Sequence, residues 1–134
     1  MTTLSLELSK ELQSVCKEKN IEMHESYLYW WKDCQEAHKG FPPVFEISHE
    51  QPDHGWQPIA PACTLCELLA WLPSKMKDRY ATYILQVTKI DDGYDVGYNK
   101  DYADSPAFAT YCDLTNPCDA CGKLLIWLIK EGLI

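Results

Sequence analysis

The chain has 134 residues, 46% of them apolar and 24% charged, enough for one hydrophobic core and too apolar for a disordered chain. With 20 Asp and Glu against 12 Lys and Arg, the formal charge of −8 argues against binding nucleic acid through phosphates or docking on anionic membranes. No run approaches the roughly 20 apolar residues of a membrane helix. "MTTLSLELSKELQ" also lacks the basic start and apolar segment of a secretory signal, so a cytoplasmic chain with mostly reduced cysteines is expected.

Residues 5–20 predict a first helix: Leu8, Leu12 and Val15 recur at helical spacing, Ser5 stands where a cap is wanted, and Asn20 suits a left-handed end. "SYLYWWKD" and "VFEIS" predict short strands around the loop "CQEAHKGFPP". "HEQPDHGWQPIAP" is polar and Pro-rich, and predicts a long loop over residues 48–61. A second helix follows, with Thr64 and Glu67 in capping-box spacing, a stripe of Leu65, Leu68, Leu69 and Leu72, and Pro73 as its stop.

A hairpin is predicted over about residues 80–98, turning at Asp92-Gly93. "KDYADSPAFATYCDLT" predicts a loop with a short strand at 108–112. The last helix has Asn116 as cap, Pro117 at its first position, Asp119 at its positive end, and Gly132 and Leu133 as a Schellman ending. Its stripe of Cys121, Leu124, Leu125 and Leu128, widened by Ala120 and Trp127, is apolar around most of the girth. Such a helix is central to a core or shared with a second copy, and a homo-oligomer is expected. The order predicts an α+β fold, three helices on a small antiparallel sheet, in one domain over residues 1–134.

Cys63, Cys66, Cys118 and Cys121 form two Cys-x-x-Cys pairs, the ligand count of a structural zinc site. Both pairs sit at helix starts rather than in knuckles between strands, and reduced cysteine most often fills a core, so packing is favoured and no cofactor is expected. Cys66 and Cys118 both fall at the second helical position, where the dipole lowers a thiol pKa. A small cysteine enzyme would need one of His24, His38, His49 or His54 as its base, and nothing in the sequence links any of them to a thiol. His49 and His54, with Glu50 and Asp53, match no established metal spacing. Phosphate-loop, dinucleotide and nucleophile-elbow motifs are missing.

Aromatic residues make up 12% of the chain. Tyr27, Tyr29 and Trp31 share one side of their strand, and Trp56, Tyr80, Tyr94, Tyr98 and Tyr102 add polar-tipped rings that fill a core or stack on planar ligands. The candidate ligand-binding set is Tyr29, Trp31, Trp56, Arg79, Tyr94, Tyr98 and Lys100, rings for stacking and cations for an anionic group. The segments "TLSLELSKELQ", "TLCELLAWLP" and "NPCDACGKLLIWLIKEGLI" resemble a group of short uncharacterised bacteriophage and prophage proteins. That resemblance implies a small accessory protein acting inside the bacterial host and brings no established activity. The resulting expectation is a non-enzymatic binding protein that inhibits a host defence protein or sequesters a nucleotide-like ligand.

Overall fold

In the computed structural model, which describes residues 2–79, 81–100, 109–113 and 116–134, three helices pack with two antiparallel sheets. For residues 100 and 109–113 the description is of the backbone alone. The fold is α+β as expected, but its strands divide between two sheets. One has the order β2-β1-β3, from Tyr29–Asp33 (β1), Phe45–Ser48 (β2) and Trp56–Pro61 (β3). The other has the order β4-β5-β6-β7, from Lys75–Lys77, Thr82–Ile90, Gly93–Lys100 and Ala109–Asp113. The predicted hairpin is β5–β6, turning between Ile90 and Gly93. Tyr80 and Tyr102 lie outside the described residues.

Two expectations need correction. The segment predicted as a loop over 48–61 contains β3, with Pro58 and Pro61 inside it. Proline lacks an N–H and is tolerated here because β3 is an edge strand, paired on one side only. Its register against β1 slips between Trp30 and Trp31, leaving Ile59 as the extra residue of a bulge. Ser5 occupies the N-cap position of α1 (Leu6–Glu18), yet its side chain makes no capping hydrogen bond.

The other helix signals act as read. Asn20 takes a φ of 55° after α1, and the N–H of Ile21 closes a Schellman bond to the Cys16 carbonyl at 2.8 Å. Around α2 (Leu65–Trp71), Thr64 Oγ1 accepts from the Glu67 N–H at 3.3 Å, while the Thr64 N–H donates to Glu67 Oε1 at 2.8 Å. Glu67 does more than cap: it also accepts from the Ser26 hydroxyl at 3.2 Å and the Tyr27 N–H at 3.0 Å, tying the entry to β1 onto α2. Asn116 caps α3 (Pro117–Lys130) through Cys118 N–H, and Leu133 N–H donates to the Leu128 carbonyl past Gly132 at φ 69°.

The third helix is the centre of the molecule, packing on α1, α2, β6 and β7. Leu124, Leu125 and Leu128 have no exposed surface, and each contributes roughly 1.5–3 kcal/mol by leaving water. Its apolar girth is therefore buried within the chain. The segment before α1 lies across this helix at Gly122, where a Cβ would collide with Leu4 Cδ1, so only glycine permits the approach. Polar contacts tie the same two segments together: Ser5 N–H donates to Asp119 Oδ1 at 2.7 Å and Asn116 Nδ2 to the Thr3 carbonyl at 2.8 Å. Leu4 also donates its N–H to the Cys63 carbonyl, and its own carbonyl accepts from Trp30 Nε1 at 3.0 Å. Among the described residues, no helix is long and apolar enough to cross a membrane.

Candidate functional site

An open concavity lies where the hairpin of β1 and β2 opens into its connecting loop. β1 ends with Asp33 donating its N–H to the Val44 carbonyl and Cys34 donating its own to the Gly55 carbonyl, both at 3.0 Å. The chain is thus pinned from both sides just as it leaves the sheet. Gly55 has a φ of 84°, and a Cβ there would stand 2.8 Å from Gln35 Cγ, so the neighbouring turn approaches this point only as glycine. Asp33 then organises the loop. Its Oδ1 accepts the Gln35 N–H at 3.0 Å and its Oδ2 meets His38 Nδ1 at 2.5 Å, while a short 3₁₀ turn at Glu36–His38 carries the chain over. The Gln35 N–H and the His38 ring hold the Asp33 carboxyl below the usual carboxylate range, against its partial burial.

The result is an open cleft of about 850 Å³ lined from Lys32 to Val44. Phe41 (71% exposed) and Val44 (53%) stand at it with Pro42 and Pro43, together with the charged groups of Lys32, Asp33, Glu36, His38 and Lys39. Asp33 is matched by His38, and Lys39 Nζ reaches Glu36 Oε1 at 3.5 Å. Lys32 has no carboxylate partner among the described residues.

The seven residues singled out in sequence divide between the two sheets. Tyr29, Trp31 and Trp56 belong to the β2-β1-β3 sheet, where Trp56 stands opposite Asp33 and Trp31 opposite Glu46 and Pro58. All three are half-buried, and Trp31 Nε1 donates to the Ser48 carbonyl at 3.0 Å. They neighbour the cleft through Asp33 without lining it. Arg79, Tyr94 and Tyr98 belong with the β4-β5-β6-β7 sheet or its connections, and the Lys100 side chain lies outside the described residues. Arg79 is exposed and Tyr94 half-buried. Tyr98 has no exposed surface, and its hydroxyl donates to the Pro73 carbonyl at 2.6 Å, which makes it a core residue. Burial pushes its phenol up to about 12. Lys32, Phe41 and the Asp33–His38 pair escaped the sequence reading. The available signal was an aromatic residue between Gly40 and the paired prolines of a polar loop.

The two Cys-x-x-Cys pairs do converge, at the starts of α2 and α3. Cys118 and Cys16 add to the rise in the Cys63 pKa, behind burial and the Glu67 carboxylate, and Cys66 adds to that of Cys118. Cys63, Cys118 and Cys121 are buried; Cys66 is exposed. Burial pushes the first two thiols up to about 11 and Cys121 up to about 12. The expected lowering of Cys118 at its helix start is therefore overturned by desolvation. Its Sγ donates to the Thr2 carbonyl at 3.4 Å. Among the described residues, no three His, Cys, Asp or Glu side chains are placed to hold a metal ion together.

None of the four candidate bases forms a hydrogen bond with a cysteine among the described residues. His24 stacks on Trp71, with ring centroids 4.3 Å apart, and His49 stacks on Tyr27 at 3.9 Å while its Nδ1 donates to the Tyr27 carbonyl. His54 is exposed in the turn before β3. Comparison with known protein families, with characterised proteins and with solved structures finds no match to this chain.

Proposed function

We propose that this is a non-enzymatic binding protein whose working surface is the cleft between Lys32 and Val44. The observation that carries the proposal is the cleft itself. Its volume of about 850 Å³ falls in the range of roughly 300–1,000 Å³ that small-molecule sites occupy, and apolar side chains are mixed there with a few charged ones. The site is also built from fixed backbone, since its two rims hang from strands pinned at Asp33 and Cys34.

A small ligand is favoured over a protein partner by the distribution of exposed apolar groups. Among the described residues the large ones are Tyr27, Phe41, Val44, Val87 and Leu133, and of these Phe41 and Val44 line the cleft. A protein interface of ordinary size would present a larger contiguous patch. Binding without turnover is supported by the thiols. Cys34, the cysteine of the cleft, makes no hydrogen bond to His38 among the described residues, whereas a thiol nucleophile needs its base within reach. The resemblance to phage accessory proteins supports a role inside an infected bacterial cell, where the protein withdraws a small ligand from the host.

Cys34 supplies the test. Both Cys34 and Cys66 are exposed, but only Cys34 lines the cleft. Deproteinised bacterial extract is expected to slow alkylation of Cys34 by iodoacetamide and to leave Cys66 unaffected, as read by mass spectrometry of the peptides. Equal Cys34 rates with and without extract would remove the proposal.

A further inference from the structure

Resting on that assignment of the cleft, we propose that its ligand is a small flat anion, a ring bearing a phosphate or carboxylate group. Lys32 makes the anion contact, and Phe41 provides the surface on which the ring lies. Three observations converge on this class. Each carboxylate of the cleft has a partner, Asp33 in the His38 ring and Glu36 in Lys39, whereas the Lys32 ammonium has no carboxylate partner among the described residues. A lone unpaired cation in a largely apolar cleft selects an anion and rejects a neutral ring of the same shape. The aromatic partner is equally distinct: among the described residues, Phe41, 71% exposed, is the one Phe, Tyr or Trp side chain lining the cleft, between Gly40 and Pro42. A phenyl ring left in water in the same cleft as a cation matches a ligand that is flat at one end and charged at the other.

The third observation is the overall charge. At −8, the protein repels extended polyanions, so a ligand with one or two charges can seat on Lys32 where a nucleic-acid strand is disfavoured. The anion class leaves its source open between a nucleoside monophosphate and an aromatic carboxylate, and the experiment separates them.

Iodoacetamide alkylation of Cys34 is followed by peptide mass spectrometry, with Cys66 as the internal reference. The probes are adenosine monophosphate, benzoate, adenosine and inorganic phosphate. Adenosine monophosphate or benzoate is expected to protect Cys34 saturably, and whichever acts at lower concentration identifies the source. Its uncharged or ringless counterpart should require at least about tenfold more. Lys32→Ala and Phe41→Ala should each raise the half-protecting concentration about tenfold, and Lys32→Arg should restore it. Circular dichroism of each variant separates a lost contact from a lost fold; if Lys32→Ala does not fold, Lys32→Gln takes its place.

Protection by adenosine equal to that by adenosine monophosphate overturns the anion contact, as does a folded Lys32 variant that protects like the parent. If extract protects Cys34 while both anionic probes fail, the ligand class is wrong and the binding cleft stands. If extract and probes alike fail, both fall.

Discussion

Raising the pH should dismantle this protein from its core, and the buried thiols set the scale. Cys63, Cys118 and Cys121 are 2%, 0% and 0% exposed, and burial raises their pKa from 9.0 to about 11, 11 and 12. The folded state holds each proton more tightly than the unfolded chain does. The stabilisation is therefore whole below pH 9 and drains away as pH climbs toward the folded values. Within that window each thiol removes roughly 1.4 kcal/mol per pH unit, so the three together remove about 4 kcal/mol by about pH 10. A domain of this size has only about 5–15 kcal/mol to lose. Cys16 is shifted in the same direction by the same burial. Urea unfolding followed by tryptophan fluorescence, between about pH 8 and about pH 10 under reductant, measures the slope. Cys63→Ala and Cys121→Ala should each flatten it by up to about a third, whatever they do to stability at neutral pH. Stability that stays level to about pH 10, or variants with the parent's slope, would show that these thiols are not the titrating groups.

Glu67→Ala should cost about 2 kcal/mol in denaturant unfolding, because it removes half a capping box and the acceptor for Ser26 and Tyr27 together; Glu67→Gln should recover part of the loss. Tyr98→Phe leaves the Pro73 carbonyl without its buried donor and should cost about 1–2 kcal/mol by the same measurement. Gly55→Ala forces a methyl group against Gln35 at a φ of 84°, and should lower the melting temperature through a loss of about 1–2 kcal/mol.

The helices were legible because their signals are local. Thr64 with Glu67, Pro117 after Asn116, and Gly132 before Leu133 each act within one turn, so no distant contact can cancel them. β3 was illegible for the opposite reason. Pro58 and Pro61 argue against a strand until one knows that it pairs on a single side, and that depends on β1, about thirty residues away in sequence. The division into two sheets is hidden for the same cause. The rings chosen as a site were selected by type, and type does not distinguish Tyr98 in the core from Trp31 at a strand. Phe41 was the better clue, since a phenyl group in a loop with no core to join has little reason to be there. The pairing of His38 with Asp33, five residues apart, follows from the 3₁₀ turn and could not be read from spacing.

The packing of Leu4 against Gly122 has a consequence for synthesis on the ribosome. Beyond the bonds of Leu4 to Trp30 and Cys63, Thr3, Leu4 and Ser5 have further partners at Asn116, Gly122 and Asp119, more than a hundred residues further on. During translation the early segment must wait, with α1 lacking the helix it packs on, until residues 116–124 have cleared the exit tunnel. Vectorial folding from the amino-terminal side is thus blocked for the central layer. A nascent chain arrested before α3 should remain open to protease and attractive to chaperones, and should close in one step once that helix emerges.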